Sequence, residues 1–199
     1  MPEHHRDDEG AKLGMWLFLF TEILLFGGLF VLYAVYLQRY QPDFHLASAE
    51  LDVRMGALNT VVLITSSAFV AWGIAALKRG NVKVATRMTV LTIAFAAVFL
   101  VVKYFEWGAK FHHGLYPGGA ELDARAQGQM VYFALYYLMT GLHGVHIVVG
   151  MGVLSWVLWL VNTGHVTPER YVALENAGLY WHLVDLIWIY LFPLFYLIT

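Results

Sequence analysis

Apolar residues gather into five long runs separated by clusters of charge, at about 13 to 37, 56 to 77, 86 to 109, 129 to 160 and 174 to 198. Each is at or near the roughly 20 residues with which a helix crosses a hydrocarbon core of about 30 Å. Only a helix satisfies every backbone group inside such a run, so the pattern predicts an all-α polytopic membrane protein, a bundle of five transmembrane helices. The alternating segments of roughly ten residues that make a transmembrane β-barrel do not occur. The fourth run is the clearest, because no Asp, Glu, Lys or Arg falls between Arg125 and Glu169. It exceeds what one span needs, which predicts one long helix that protrudes or tilts. Gly141, Gly144, Gly150 and Gly152 within it are read as packing positions, since small residues let membrane helices approach closely.

Composition agrees with lipid as the solvent. Of 199 residues, 60% are hydrophobic and 13% charged, with a mean hydropathy of +0.62, against roughly 25% charged in a soluble domain. The absence of cysteine removes disulfides, thiolate metal sites and cysteine nucleophiles. The N-terminal stretch MPEHHRDDEGAK carries both signs of charge and no short apolar region with a cleavage site. It reads as a cytoplasmic segment, residues 1–12, ahead of a single membrane domain over 13–199.

Charge also orients the chain. With five spans, Arg6, Lys12, Lys78, Arg79, Lys83, Arg87 and Arg170 fall on one side, and Arg39, Arg54, Lys110 and Arg125 on the other. The positive-inside bias places the N-terminus in the cytoplasm and the C-terminus outside, and the expected location is a bacterial cytoplasmic membrane. The short basic loop Leu77 to Lys83 predicts a tight turn with the second and third helices adjacent and antiparallel. The longer loop from about Lys110 to Gln127 holds His112, His113 and the turn residues Tyr116-Pro117-Gly118-Gly119. His112-His113 and His4-His5 are read as surface residues, because neighbours in sequence do not share a helical face.

The candidate chemistry lies in polar residues that a bilayer excludes, each costing about 2.5 to 3.5 kcal/mol at mid-span if charged. Glu22 sits at mid-depth in the first helix, His143 and His146 in the fourth, and His182 and Asp185 in the fifth, the last two pairs at one-face spacing. Together they predict a polar seam inside the bundle. It serves either as interhelical hydrogen bonding that fixes packing or as a proton-handling or lipid-contacting line. Lys103 and Glu106, three apart near the end of the third helix, read as an interfacial ion pair whose long side chains snorkel outward. His146 and His182 also stand at comparable depth, as a bis-histidine haem would need, but no further paired histidines accompany them on helices one to three.

Several motifs resemble subunit III of the haem-copper oxidases, in order along the chain. They are Leu13-Gly14-Met15-Trp16-Leu17-Phe18-Leu19-Phe20-Thr21-Glu22, Leu58-Asn59-Thr60, and Tyr104-Phe105-Glu106-Trp107. Thr140-Gly141-Leu142-His143-Gly144-Val145-His146 and Ala177-Gly178-Leu179-Tyr180-Trp181-His182-Leu183-Val184-Asp185 complete the set. The segment ending at Glu22 is similar to the one that carries the intramembrane glutamate of the cytochrome c oxidase members.

The resemblance implies a non-redox subunit beside a catalytic subunit I that reduces oxygen and pumps protons, with a copper-containing subunit II. No haem, copper or other metal is expected on this chain, and phospholipid is expected in a cleft between helices. The long family form has seven helices, and this chain resembles its last five, so one wall of that cleft is absent or comes from another chain. Lys103 stands where the family pattern favours a neutral polar residue. Within the family, a quinol-oxidase subunit III and a nitric-oxide-reductase accessory subunit are the alternatives, with Thr21-Glu22 favouring cytochrome c as donor. Outside it stand a proton-coupled transporter, for which the chain shows no inverted repeat, and a haem-binding membrane anchor.

Overall fold

A computed structural model describes residues 7–198. Seven helices and no strands occur among them: α1 (Asp8–Arg39), α2 (Gln41–Ser48), α3 (Val53–Lys78), α4 (Val82–His112), α5 (Ala120–Asp123), α6 (Gln127–Asn162) and α7 (Val172–Tyr196). α1, α3, α4, α6 and α7 are long and apolar enough to cross a membrane, which makes this a multi-pass integral membrane protein. His4, His5 and Arg6 lie outside the described residues.

Local chemistry sets where the helices begin. Asp7 caps α1 by accepting from the Gly10 backbone N–H at 2.6 Å, so the helix starts ahead of the apolar run and takes in residues 8–12. Asp52 caps α3, accepting from the Arg54 and Met55 N–H groups at 2.8 and 3.3 Å, and Asn81 caps α4 through Val84 at 3.2 Å. Each side-chain oxygen satisfies a donor that the helix itself leaves unpaired. α4 runs one turn past the apolar pattern, and His112 lies in its last turn. The small helix α5 forms inside the long loop from Lys110 to Gln127, and α2 lies in the connection between α1 and α3.

The basic turn after α3 is as tight as its length predicts, with Gly80 at φ +80° permitting the reversal. α3 and α4 lie against each other along their lengths, and α3, α6 and α1 all pack on α7. α7 is therefore the most enclosed span and α1 the least, with Leu13, Trp16, Leu17, Phe20 and Leu24 of α1 facing outward.

α6 is a single helix of 36 residues, and its glycines divide. A Cβ on Gly150 would meet the Trp181 ring at 2.9 Å, and one on Gly141 would meet Trp107 at 3.2 Å. Gly144 and Gly152 have nothing within 4 Å, so they are not the packing positions that their spacing suggests.

Candidate functional site

The mid-span polar residues do not form one continuous seam. Glu22 of α1 and His146 of α6 meet directly, Oε2 to Nε2, at 2.8 Å. The other ring nitrogen, Nδ1, lies 2.8 Å from the Leu142 carbonyl oxygen. A carbonyl only accepts, so Nδ1 carries a hydrogen. Either Glu22 then donates to a neutral imidazole or a carboxylate accepts from an imidazolium; in both cases one proton is shared across the contact. Phe26 meets the imidazole edge-on at 5.3 Å and Tyr180 stacks on it at 6.5 Å, while the Tyr180 hydroxyl donates to the His146 carbonyl at 3.2 Å.

His182 turns to α3 instead, its Nδ1 2.6 Å from the Ser67 hydroxyl. His143 is fully buried, stacked on Trp188 at 5.3 Å and edge-on to Phe99 at 5.5 Å. Its ring nitrogens have no hydrogen-bond partner among the described residues, and the carboxyl of buried Asp185 on α7 lies beside the Ser67 hydroxyl of α3. His146 and His182 are thus not a free ligand pair, since both nitrogens of His146 are already engaged. No group of three or more His, Cys, Asp or Glu among the described residues is placed to hold a metal ion.

Lys103 and Glu106 do pair, at 3.2 Å, but the expected snorkelling is overturned: their side chains are 10% and 2% exposed. The ammonium points inward to Glu106 Oε2, to the Tyr196 hydroxyl at 2.5 Å and to the Tyr136 hydroxyl at 3.3 Å. Both tyrosines donate to Glu106 Oε1, at 2.6 Å from Tyr136 and 2.5 Å from Tyr196. Trp188 offers its ring face 4.7 Å from the ammonium. Tyr136, Tyr196 and Trp188 escape a sequence reading because they come from 30 to 93 positions away and look like ordinary aromatic residues of apolar spans. Inward pairing is favoured because a buried charge needs its counter-charge and hydrogen bonds together.

The helix ends are tied by charge. At one end Glu175 accepts a hydrogen bond from Lys78 and forms an ion pair with Lys12, each at 2.8 Å, joining α1, α3 and α7. At the other, Arg125 pairs with Glu50, whose carbonyl also receives the Lys110 ammonium.

Residues 3–199 match the family model of cytochrome c oxidase subunit III. The chain belongs to that family. It is 31% identical over 196 residues to cytochrome c oxidase subunit 3 of Thermostichus vulcanus, covering 98% of this chain and 90% of the relative. Subunit 3 of Synechocystis sp. is 30% identical over 98% of this chain and 78% of its own. A haem-copper oxidase subunit I+III of Aeropyrum pernix is 30% identical over 94% of this chain, which spans 22% of that longer protein. As a cytochrome c oxidase subunit III, the chain is a membrane component of a haem-copper oxidase complex, and its polar interior belongs to a subunit that works within an assembly.

Proposed function

We propose that this subunit takes no part in electron transfer itself and supports the proton supply and durability of a catalytic subunit I, in a cytochrome c oxidase that also contains a copper-bearing subunit II. The haems and copper belong to those partners, and the complex lies in a bacterial cytoplasmic membrane with the N-terminus of this chain inside. Lack of cysteine supports the non-redox reading, since no thiolate can ligate a dinuclear copper site.

The observation that carries the proposal is the Glu22–His146 contact. It holds one shared proton at mid-span, on the helix with the least enclosed surface, where a neighbouring subunit or lipid has access. His143, His182 and Asp185, expected on the same line, act elsewhere in the bundle in this reading. Glu22→Gln tests it in the assembled complex, because the amide keeps a hydrogen bond to the imidazole and removes the acid. Expected are normal assembly and faster loss of activity under sustained turnover. If activity, inactivation rate and lipid content all match the parent complex, the pair serves packing alone. Co-purification of a copper-containing, cytochrome-docking subunit in mild detergent tests the assigned electron donor.

A further inference from the structure

Contacts in opposite register tie α3 to α7: Lys78 to Glu175, Ile74 over Gly178 and Thr60 to the Trp188 Nε1–H. Between them, at mid-span, Ser67 of α3 meets two polar residues of α7. Its hydroxyl lies 2.6 Å from His182 Nδ1, and the Asp185 carboxyl lies beside the same hydroxyl. His182 and Asp185 are three positions apart and share a helical face. Asp185 is 3% exposed, whereas Ser67 and His182 are only partly buried. Ile64, one turn from Ser67, and Leu186, one turn from His182, are both exposed, so the imidazole stands at the edge of an outward-facing strip. Its Nε2 has no hydrogen-bond partner among the described residues, and it is not sealed in the core as the His143 nitrogens are. No ion pair among the described residues includes His182 or Asp185. Ionisable groups of the neighbouring helices are engaged elsewhere: Glu22 of α1 with His146 of α6, Lys78 of α3 with Glu175, Lys103 of α4 with Glu106, and His143 of α6 against Trp188.

We propose that Asp185, Ser67 and His182 form a proton-exchange site, in which the buried carboxyl stores one proton and passes it through the Ser67 hydroxyl and the imidazole to the α3–α7 face. A hydroxyl has one hydrogen to give and lone pairs with which to accept. In the loaded state the Asp185 O–H donates to Ser67 Oγ, the Ser67 O–H donates to His182 Nδ1, and Nε2 carries the imidazole hydrogen. On release Nε2 gives its proton to water at the face, Ser67 gives its hydrogen to Nδ1, and Asp185 gives its own to Ser67. Each N–H or O–H bond that breaks is matched by one that forms, and a single proton leaves. The unloaded state is a carboxylate accepting from Ser67, a hydroxyl accepting from Nδ1–H, and a bare Nε2; uptake is the reverse. Packing alone needs only the bond between Ser67 and His182. The carboxyl behind that bond and the unengaged nitrogen in front of it make it the middle of a three-group chain. The site is separate from the Glu22–His146 contact and does not rest on that pair's part in proton supply.

Infrared difference spectroscopy of the assembled oxidase, following hydrogen–deuterium exchange of its carboxyl groups, tests the chain. The Asp185 signal is the carboxylic C=O band that disappears in Asp185→Asn. Expected is exchange of that carboxyl when the parent complex is moved to deuterated buffer, exchange about 100-fold slower in Ser67→Ala, which lacks the hydroxyl, and recovery in Ser67→Thr. His182→Phe, which offers no ring nitrogen, should slow exchange likewise; if it fails to assemble, the two Ser67 variants decide. Glu22→Gln should leave the rate unchanged, which separates this site from the role proposed for Glu22. Equal rates in the parent and Ser67→Ala overturn the relay and leave a packing contact. So does a parent complex with no Asp185-dependent carboxylic band, or with one that does not exchange. An equal slowing in Glu22→Gln overturns the separate site.

Discussion

Glu22 and His146 are 124 positions apart in sequence and 2.8 Å apart in the bundle, a contact that fastens the outlying helix α1 to the long helix α6. Its side chains are 14% and 13% exposed, so solvent screens it little. Interhelical hydrogen bonds inside membranes contribute about 0.6 to 2 kcal/mol. A double-mutant cycle of Glu22→Ala and His146→Ala, read as the midpoint for heat-induced loss of the subunit from the complex, should therefore return a coupling of about 0.6 to 2 kcal/mol. Strict additivity would mean that the two side chains do not meet in the assembled enzyme.

The Lys103–Glu106 pair is predicted to behave differently, because it is enclosed by Tyr136, Tyr196 and Trp188. Lys103→Met strands a carboxylate in the core and should destabilise the subunit by about 3 to 5 kcal/mol. The double variant Lys103→Met, Glu106→Gln removes both charges and keeps acceptor capacity for the tyrosine hydroxyls, so most of that loss should return. Thermal unfolding of the detergent-solubilised complex measures both. A single variant that melts with the parent would place the pair in water or at a headgroup, the snorkelling geometry that sequence position alone suggests.

The spans were legible in the sequence because lipid imposes the strongest constraint on the chain: a long uncharged run has few alternatives to a helix. The α3–α4 hairpin was legible for the same reason, since its short basic turn leaves little freedom. Depth was readable too, and it placed Glu22 level with His146. Azimuth was not: His143 and His146 are three apart, yet one meets Trp188 and the other Glu22. Which face of a helix meets which neighbour depends on packing across the bundle, and spans that are apolar all round leave few periodicity cues. The tyrosines around Lys103 were hidden by the same rule.

The glycines of α6 separate contact from spacing. At Gly150 an added methyl meets the Trp181 ring at 2.9 Å and Tyr180 at 3.2 Å, so Gly150→Ala should force α6 away from α7 and cost about 1 to 3 kcal/mol. Gly144→Ala and Gly152→Ala meet nothing within 4 Å. They should be neutral or stabilising by up to about 1 kcal/mol through helix propensity alone. Subunit retention across a detergent series ranks the three. Equal effects at all three positions would mean that a partner packs on Gly144 and Gly152 in the complex.

Orientation follows from charge and can be tested without disturbing the core, because the chain has no cysteine to mask a label. Lys83 lies exposed in the first turn of α4, next to the basic turn, and Ala120 lies exposed at the start of α5 on the opposite end of the bundle. Positive-inside bias puts Lys83 in the cytoplasm and Ala120 outside. With an impermeant maleimide on intact cells, Ala120→Cys should label at once and Lys83→Cys only after the membrane is opened. Both positions avoid the capping residue Asn81 and the left-handed glycines Gly80 and Gly118, so neither substitution disturbs a turn. The reverse labelling order would invert the subunit and place the Glu175 tie with Lys12 and Lys78 on the outer surface, where the same residues would oppose the charge bias that orients membrane helices.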